Sequence, residues 1–168
     1  MSTGWEEVDS ICKGGLGKGE LGVVIAPTGA GKSMVLVHLG SQAIKNGKTV
    51  VHYTLELSDT VIGIRYDSCI TGVPLNDVHS FKENIYEKVT ELEGSLIIKE
   101  YATKSATTNT IKMHLEKLRN RGIEPDMVIV DYADLLRPIS GLREKRHELE
   151  TIYEELRLYT RWLWTRVM

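Results

Sequence analysis

Along this chain, short apolar runs rich in β-branched and aromatic residues alternate with longer stretches whose apolar positions recur every three or four residues. That alternation is the pattern of a parallel sheet covered by helices. Four runs read as strands: LGVVIA (Leu21 to Ala26), TVVHYTL (Thr49 to Leu55), SLIIKEY (Ser95 to Tyr101) and MVIVDYA (Met127 to Ala133). Strands buried on both faces have this near-continuous apolar character.

The stretches between them read as helices. Lys32 to Asn46 places Val35, Leu36, Leu39 and Ala43 on one face and stops at Gly47. A second helix follows Ser58 and Asp59, either of which could cap it, and runs through Ile62 and Tyr66 toward Gly72 and Pro74. A third opens in SATTNT, lines up Ile111, Leu115 and Leu118, and closes at Gly122 before Pro125. The last starts near His147 and carries Leu149, Ile152, Tyr153, Leu156 and Leu163 on one stripe. Between the fourth strand and this helix lies a long basic loop, LRPISGLREKR, from Leu136 to Arg146. The closing YTRWLWTRVM leaves two outcomes open: the helix continues through Trp162 and Trp164, or the segment forms a short strand. The spacing of two between the tryptophans suits one face of a strand.

With 168 residues and 42% hydrophobic content, the chain has the size of one globular domain with a real core. A formal net charge of −2 gives no global positive field, so contact with nucleic acid must be local or arise on assembly. Cys12 and Cys69 lie far apart without metal-site or disulfide spacing and are expected to be buried apolar residues in a reducing compartment. No apolar run approaches the roughly 20 residues of a membrane helix, and the acidic start MSTGWEEVDS is no secretion signal. A cytoplasmic location, bacterial or in a phage-infected cell, is expected.

Chemistry enters with APTGAGKS, Ala26 to Ser33, which follows the first strand and leads into the first helix. Glycine-rich backbone amides and a helix N-terminus in this arrangement surround phosphate oxygens, with Lys32 reaching the outer phosphates and Ser33 the magnesium ion. Ala26, Pro27, Thr28, Gly29, Ala30, Gly31, Lys32, Ser33 and Met34 are thus the expected nucleotide contacts, although Ala26 stands where the usual pattern has its first glycine. Phosphoryl transfer also needs a metal-side carboxylate and a group to orient the attacking water. Asp131, ending the strand MVIVD, is placed for the first, with a turn or cap as its alternative use. Glu56, directly after VVHYTL, is placed for the second, as catalytic base, with a solvated glutamate as its alternative.

Taken together, these motifs resemble a known family. STGWEEVDSICKGGLGKGELGVVIAPTGAGKS resembles the start of RecA-type ATPase cores, and HYTLELSDTVIGIR and PDMVIVDYADLLRP are similar to the second-strand and Walker B motifs of DnaB-type replicative helicases, those of bacteriophages above all. The resemblance covers nearly all of Ser2 to Arg157. It implies a RecA-like P-loop core over residues 1–168: an α/β fold, its mostly parallel sheet flanked by helices on both faces. It also implies ATP and Mg2+ as cofactors, Lys32 and Glu56 in catalysis, Ser33 and Asp131 on the magnesium (Asp131 through water), and a basic residue at Arg65, which a surface salt bridge explains equally well. Family members form hexameric rings around single-stranded DNA. In such a ring the loop after Asp131 would face the channel, making Arg143, Lys145 and Arg146 candidates for phosphate contact, though a solvated charge run explains any one of them as well.

Departures from the pattern set further expectations. The chain starts a few residues before the core, without the N-terminal domain through which such helicases contact primase, so primase docking is not implied. Past Arg157 nothing matches the family's fifth strand, its polar γ-phosphate sensor or its trans-acting arginine, so a C-terminally truncated core with weak or absent turnover is expected. Two other readings stay open: a different RecA-fold ATPase, recombinase or clock-type, and a non-catalytic nucleotide-binding fragment or subunit.

Overall fold

The computed structural model describes residues 1–138 and 145–165, with side chains described for 1–138 and 146–160. Its sheet has three parallel strands in the order β2-β1-β3: β1 (Thr49–Thr54), β2 (Ser95–Glu100) and β3 (Met127–Asp131). β1 is central, and its last five residues are all buried. The register is fixed at its start by Asp126, whose Oδ2 accepts from the Thr49 amide (2.9 Å) and whose own amide donates to the Thr49 carbonyl (2.8 Å). From there Val50 pairs with Met127, His52 with Ile129 and Thr54 with Asp131.

Helices cover both faces, as the alternation predicts. α2 (Lys32–Lys45) and α3 (Asp59–Thr71) contribute Val37, Ala43, Ile44, Ile62 and Tyr66 to a core with Val50 and Ile129. α5 (Thr108–Arg119) and α6 (Lys145–Thr165) cover the other face, where Ile111, Leu115, Leu118 and Ile152 pack on Val51, Tyr53 and Leu55. Side chains alternate along a strand. Val50, His52 and Thr54 of β1 therefore face α2 and α3, while Val51 and Tyr53 face α5 and α6. Local chemistry sets the helix starts: the Ser58 side chain accepts from the Val61 amide to cap α3, and Thr107 and Thr110 form a reciprocal capping box on α5.

Several expectations are corrected. Leu21 to Ala26 is not a strand: it makes no ladder bond, and Val23 is 51% and Ile25 90% exposed. Both edges of β1 are taken, and no described residue supplies a strand to bridge this segment to β3. The buried face of α2 runs through Val37, Gly40, Ser41, Ala43 and Ile44, rotated from the expected stripe so that Val35, Leu36 and Leu39 are only half-buried. Two helices escaped the periodicity argument, α1 (Glu6–Ile11) and α4 (Lys82–Thr90), since α1 buries no residue and α4 buries only Ile85. Cys12, expected to be buried, ends α1 and is exposed, while Cys69 is half-buried; both thiols are free. α6 continues through Trp162 and Trp164, so the strand outcome does not occur: no glycine or proline interrupts Lys145–Thr165. The side chain of Leu163 lies outside the described residues.

The ends are tied to this frame. Trp5 stacks on His38 of α2 with ring centroids 4.1 Å apart, and Thr160 of α6 donates to the Gly19 carbonyl at 2.9 Å. Among the described residues, no helix is long and apolar enough to cross a membrane.

Candidate functional site

The loop Pro27 to Gly31 lies open to solvent where the chain turns into α2. Gly29 and Gly31 adopt φ of 79° and 90°, the left-handed region that only glycine occupies without cost. Among the described residues no side chain caps the N-terminus of α2, and its first turn carries no acidic residue, so its leading amides face outward with the positive end of the helix dipole behind them. Lys32 folds back on the loop, its Nζ donating to the carbonyls of Ala26 (2.9 Å) and Pro27 (3.0 Å). The ammonium is thereby held at the rim of the cradle that its charge would serve.

The acidic side of the site comes from the ends of β1 and β3. Asp131 ends β3 and is only 2% exposed; its backbone carbonyl accepts from the Leu55 amide at 2.8 Å, and the peptide bond to Tyr132 is cis. Thr54, its neighbour in register, shapes the next turn: Thr54 Oγ1 donates to the Leu57 carbonyl (2.7 Å) and accepts from the Leu57 amide (3.3 Å). That turn carries Glu56 out of the core into solvent.

Electrostatics shows which groups meet. Burial pushes the Asp131 carboxyl above its ordinary range. Ser33, near enough to favour its charged form, opposes this shift; the charge of Glu56 adds to it, and Arg65 and Lys32 counter it. Four sequence-predicted residues thus act electrostatically on a fifth. Arg65, half-buried on α3, stands with them. Of the basic candidates, Arg143 lies outside the described residues, as does the side chain of Lys145, whose backbone begins α6; Arg146 is exposed in that helix's first turn.

A magnesium ion accepts few protein ligands and keeps its waters and phosphate oxygens. The residues present fit that habit: Ser33 and Asp131 face each other, and Asp131 Oδ2 is a buried oxygen with no hydrogen-bond partner. Among the described residues, no group of three or more His, Cys, Asp or Glu forms a denser metal site.

A family model, the DnaB-like helicase C terminal domain, matches residues 1–168. The chain belongs to that family. Among individual relatives, the DnaB-like replicative helicase of Enterobacteria phage T4 is 29% identical over 139 residues, covering 77% of this chain and 29% of the relative. The replicative DNA helicase DnaB of Helicobacter pylori (strain ATCC 700392 / 26695) is 23% identical over 166 residues, covering 96% of this chain and 34% of the relative. This DnaB-type chain thus spans about a third of the length of the curated relatives it matches. Its fold is similar to that of a DnaB-like replicative helicase whose structure was solved to show its interactions with primase. There the TM-score is 0.68 at 14% identity, over 81% of this chain and 34% of that one.

Sequence reasoning missed three residues. Thr54 positions the turn that carries Glu56. Tyr132 stands close enough to Glu56, Asp134 and Asp131 for their charges to reinforce the rise that partial burial imposes on its hydroxyl. His52 is fully buried beneath the site. The signal for Thr54 and His52 was available, since strand alternation places both on the Asp131 side of the sheet.

Proposed function

We propose that this chain is the ATP-binding motor core of a replicative DNA helicase. The carrying observation is the open glycine loop at the N-terminus of α2, with Lys32 folded on its carbonyls, together with the buried Asp131, whose charge Ser33, Glu56, Arg65 and Lys32 all influence. Binding begins when the triphosphate displaces Lys32 Nζ from the Ala26 and Pro27 carbonyls. The residues from Ala26 to Met34 then line the phosphates, their amides and the α2 dipole supplying the neutralising field. Ser33 would hold the magnesium ion directly and Asp131 through water, and the ion would draw charge from the phosphate oxygens. Glu56 orients the attacking water and accepts its proton. An exposed carboxylate suits that task, because the nucleophile must enter from solvent.

Action on DNA follows from the family. Single-stranded DNA would pass through a homo-oligomeric, hexameric ring with Arg143, Lys145 and Arg146 as phosphate contacts. Primase is a partner of the solved relative; no residue of this chain is assigned to it.

Isothermal titration with ADP, ATP and Mg2+ tests the reading. Lys32→Ala should weaken binding at least tenfold, since it removes the point charge on the outer phosphates. Glu56→Gln should bind within about twofold of the parent while abolishing whatever hydrolysis the parent shows. Unchanged ADP affinity in Lys32→Ala would refute the site.

A further inference from the structure

Three buried side-chain polar atoms among the described residues have no hydrogen-bond partner: Ser41 Oγ, His52 Nε2 and Asp131 Oδ2. Buried polar atoms are rarely left so, because each orphan forfeits its hydration without a partner in return. All three lie between α2 and the sheet face that α2 covers. On that face His52 pairs with Ile129, two residues before Asp131. With strands about 4.8 Å apart and a rise of about 3.3 Å per residue, the two Cα atoms stand roughly 8 Å apart on the same side of the sheet. One water bridges side chains at that separation.

The proton inventory of His52 sharpens the pairing. Its Nδ1 lies 2.9 Å from Tyr66 Oη, and among the described residues this is the only hydrogen bond of the Tyr66 hydroxyl. A buried phenol has one proton to place. If it donates to Nδ1, the neutral ring carries its own proton on Nε2, a donor without an acceptor, on the sheet face that also carries Asp131 Oδ2, an acceptor without a donor. The opposite tautomer strands both the phenol proton and the Nε2 lone pair. Tyr66 is near enough to Asp131 for the carboxylate charge to help hold its hydroxyl protonated, after burial and Cys69. Burial keeps the ring neutral at physiological pH.

We propose that His52 is a positioning residue for Asp131, its Nε2–H reaching the orphaned Oδ2 through one buried water, and that Tyr66 selects the tautomer that allows it. The importance of this contact rests on reading Asp131 as the magnesium-side carboxylate. Carboxylates that ligate metals are held by outer hydrogen bonds whose loss costs about 10- to 100-fold in metal affinity; for Asp131, one water removed from the ion, the lower end of that range applies. Gly40 makes the arrangement possible: a Cβ there would meet Tyr66 Oη at 2.2 Å.

Long-range 1H–15N spectra of the labelled chain at neutral pH read the tautomer without nucleotide. The expected result is an Nε2-protonated ring whose Nε2 resonance moves in Asp131→Asn and whose tautomer preference is lost in Tyr66→Phe. An Nδ1-protonated ring in the parent overturns the proposal, as does an Nε2 resonance indifferent to Asp131→Asn. The parent spectrum alone can refute, even if a variant does not fold. For the functional arm, His52→Phe should reduce the magnesium-dependent part of ADP binding about tenfold while leaving magnesium-free binding within twofold; equal loss in both overturns the role. Absent nucleotide binding in the parent would refute the motor reading and leave the tautomer result standing.

Discussion

The burial of His52 makes stability depend on pH in a way that one substitution isolates. His52 is 0% exposed, and burial moves its pKa from the ordinary 6.5 down to about 4. The unfolded chain then binds the proton more readily than the folded one. The folded state is accordingly favoured fully above pH 6.5, and that advantage is lost as pH falls from 6.5 toward 4. The full difference is worth about 3 kcal/mol, and roughly 2 kcal/mol of it disappears between pH 7.5 and pH 5. His114 shifts in the same direction, mainly by burial, with Lys99, Lys117 and Arg121 adding to it. Asp131 shifts the opposite way, but both groups remain in a His52 variant. His52→Gln retains a donor and an acceptor and does not titrate, so the difference between parent and variant reports His52. Urea unfolding at the two pH values should show the parent losing about 2 kcal/mol more than His52→Gln. If the variant loses as much as the parent, the ring is not a buried neutral group and the tautomer argument fails with it.

Two further substitutions test the packing beneath the site. Gly40→Ala would gain about 1 kcal/mol of helix propensity. The added Cβ, however, would lie 2.2 Å from Tyr66 Oη and 2.9 Å from ring carbons of a side chain buried and bonded to His52, so overpacking of about 1–3 kcal/mol should win. A lower Tm, partly recovered by adding Tyr66→Phe, is expected; a Tm at or above the parent's would show that the ring yields freely. Ser58→Ala removes the cap of the helix that carries Arg65 and should cost about 1 kcal/mol in urea titration, with no loss counting against the cap.

How far the sequence spoke depended on what each segment's neighbours supply. β1, β2 and β3 were legible because their apolar runs meet partners within the described chain. Leu21 to Ala26 has an equally strong strand pattern and fails to become one, since propensity describes a half-buried pleated surface and this segment meets none. The turn from Pro27 to Gly31 into α2 was legible because its signals are local: glycines at fixed spacing followed by a helix. Glu56 and Asp131 were legible as strand ends. His52 was not, because a histidine inside a β-branched run reads as filler until its register with Ile129 and its bond to Tyr66 are known. The same limit explains Trp162 and Trp164: a spacing of two mimics a strand face, while the unbroken helix-forming context from Lys145 onward decides otherwise.

The two carboxylates differ in environment. Asp131, buried and with its pKa raised, binds a proton more tightly in the folded protein than in the unfolded one, so at neutral pH its charge is a cost held within the fold. Glu56 projects into solvent from a turn that Thr54 fixes. A divalent cation beside Ser33 would relieve the first without disturbing the second, since the field it supplies stabilises the charged form that burial opposes. Lys32 would add the complementary half, as a cation parked on two carbonyls that a phosphate would outcompete by charge. Nucleotide and metal are therefore expected to bind cooperatively: each removes a mismatch, an unneutralised buried carboxylate or a loosely held ammonium, that the other's charges share.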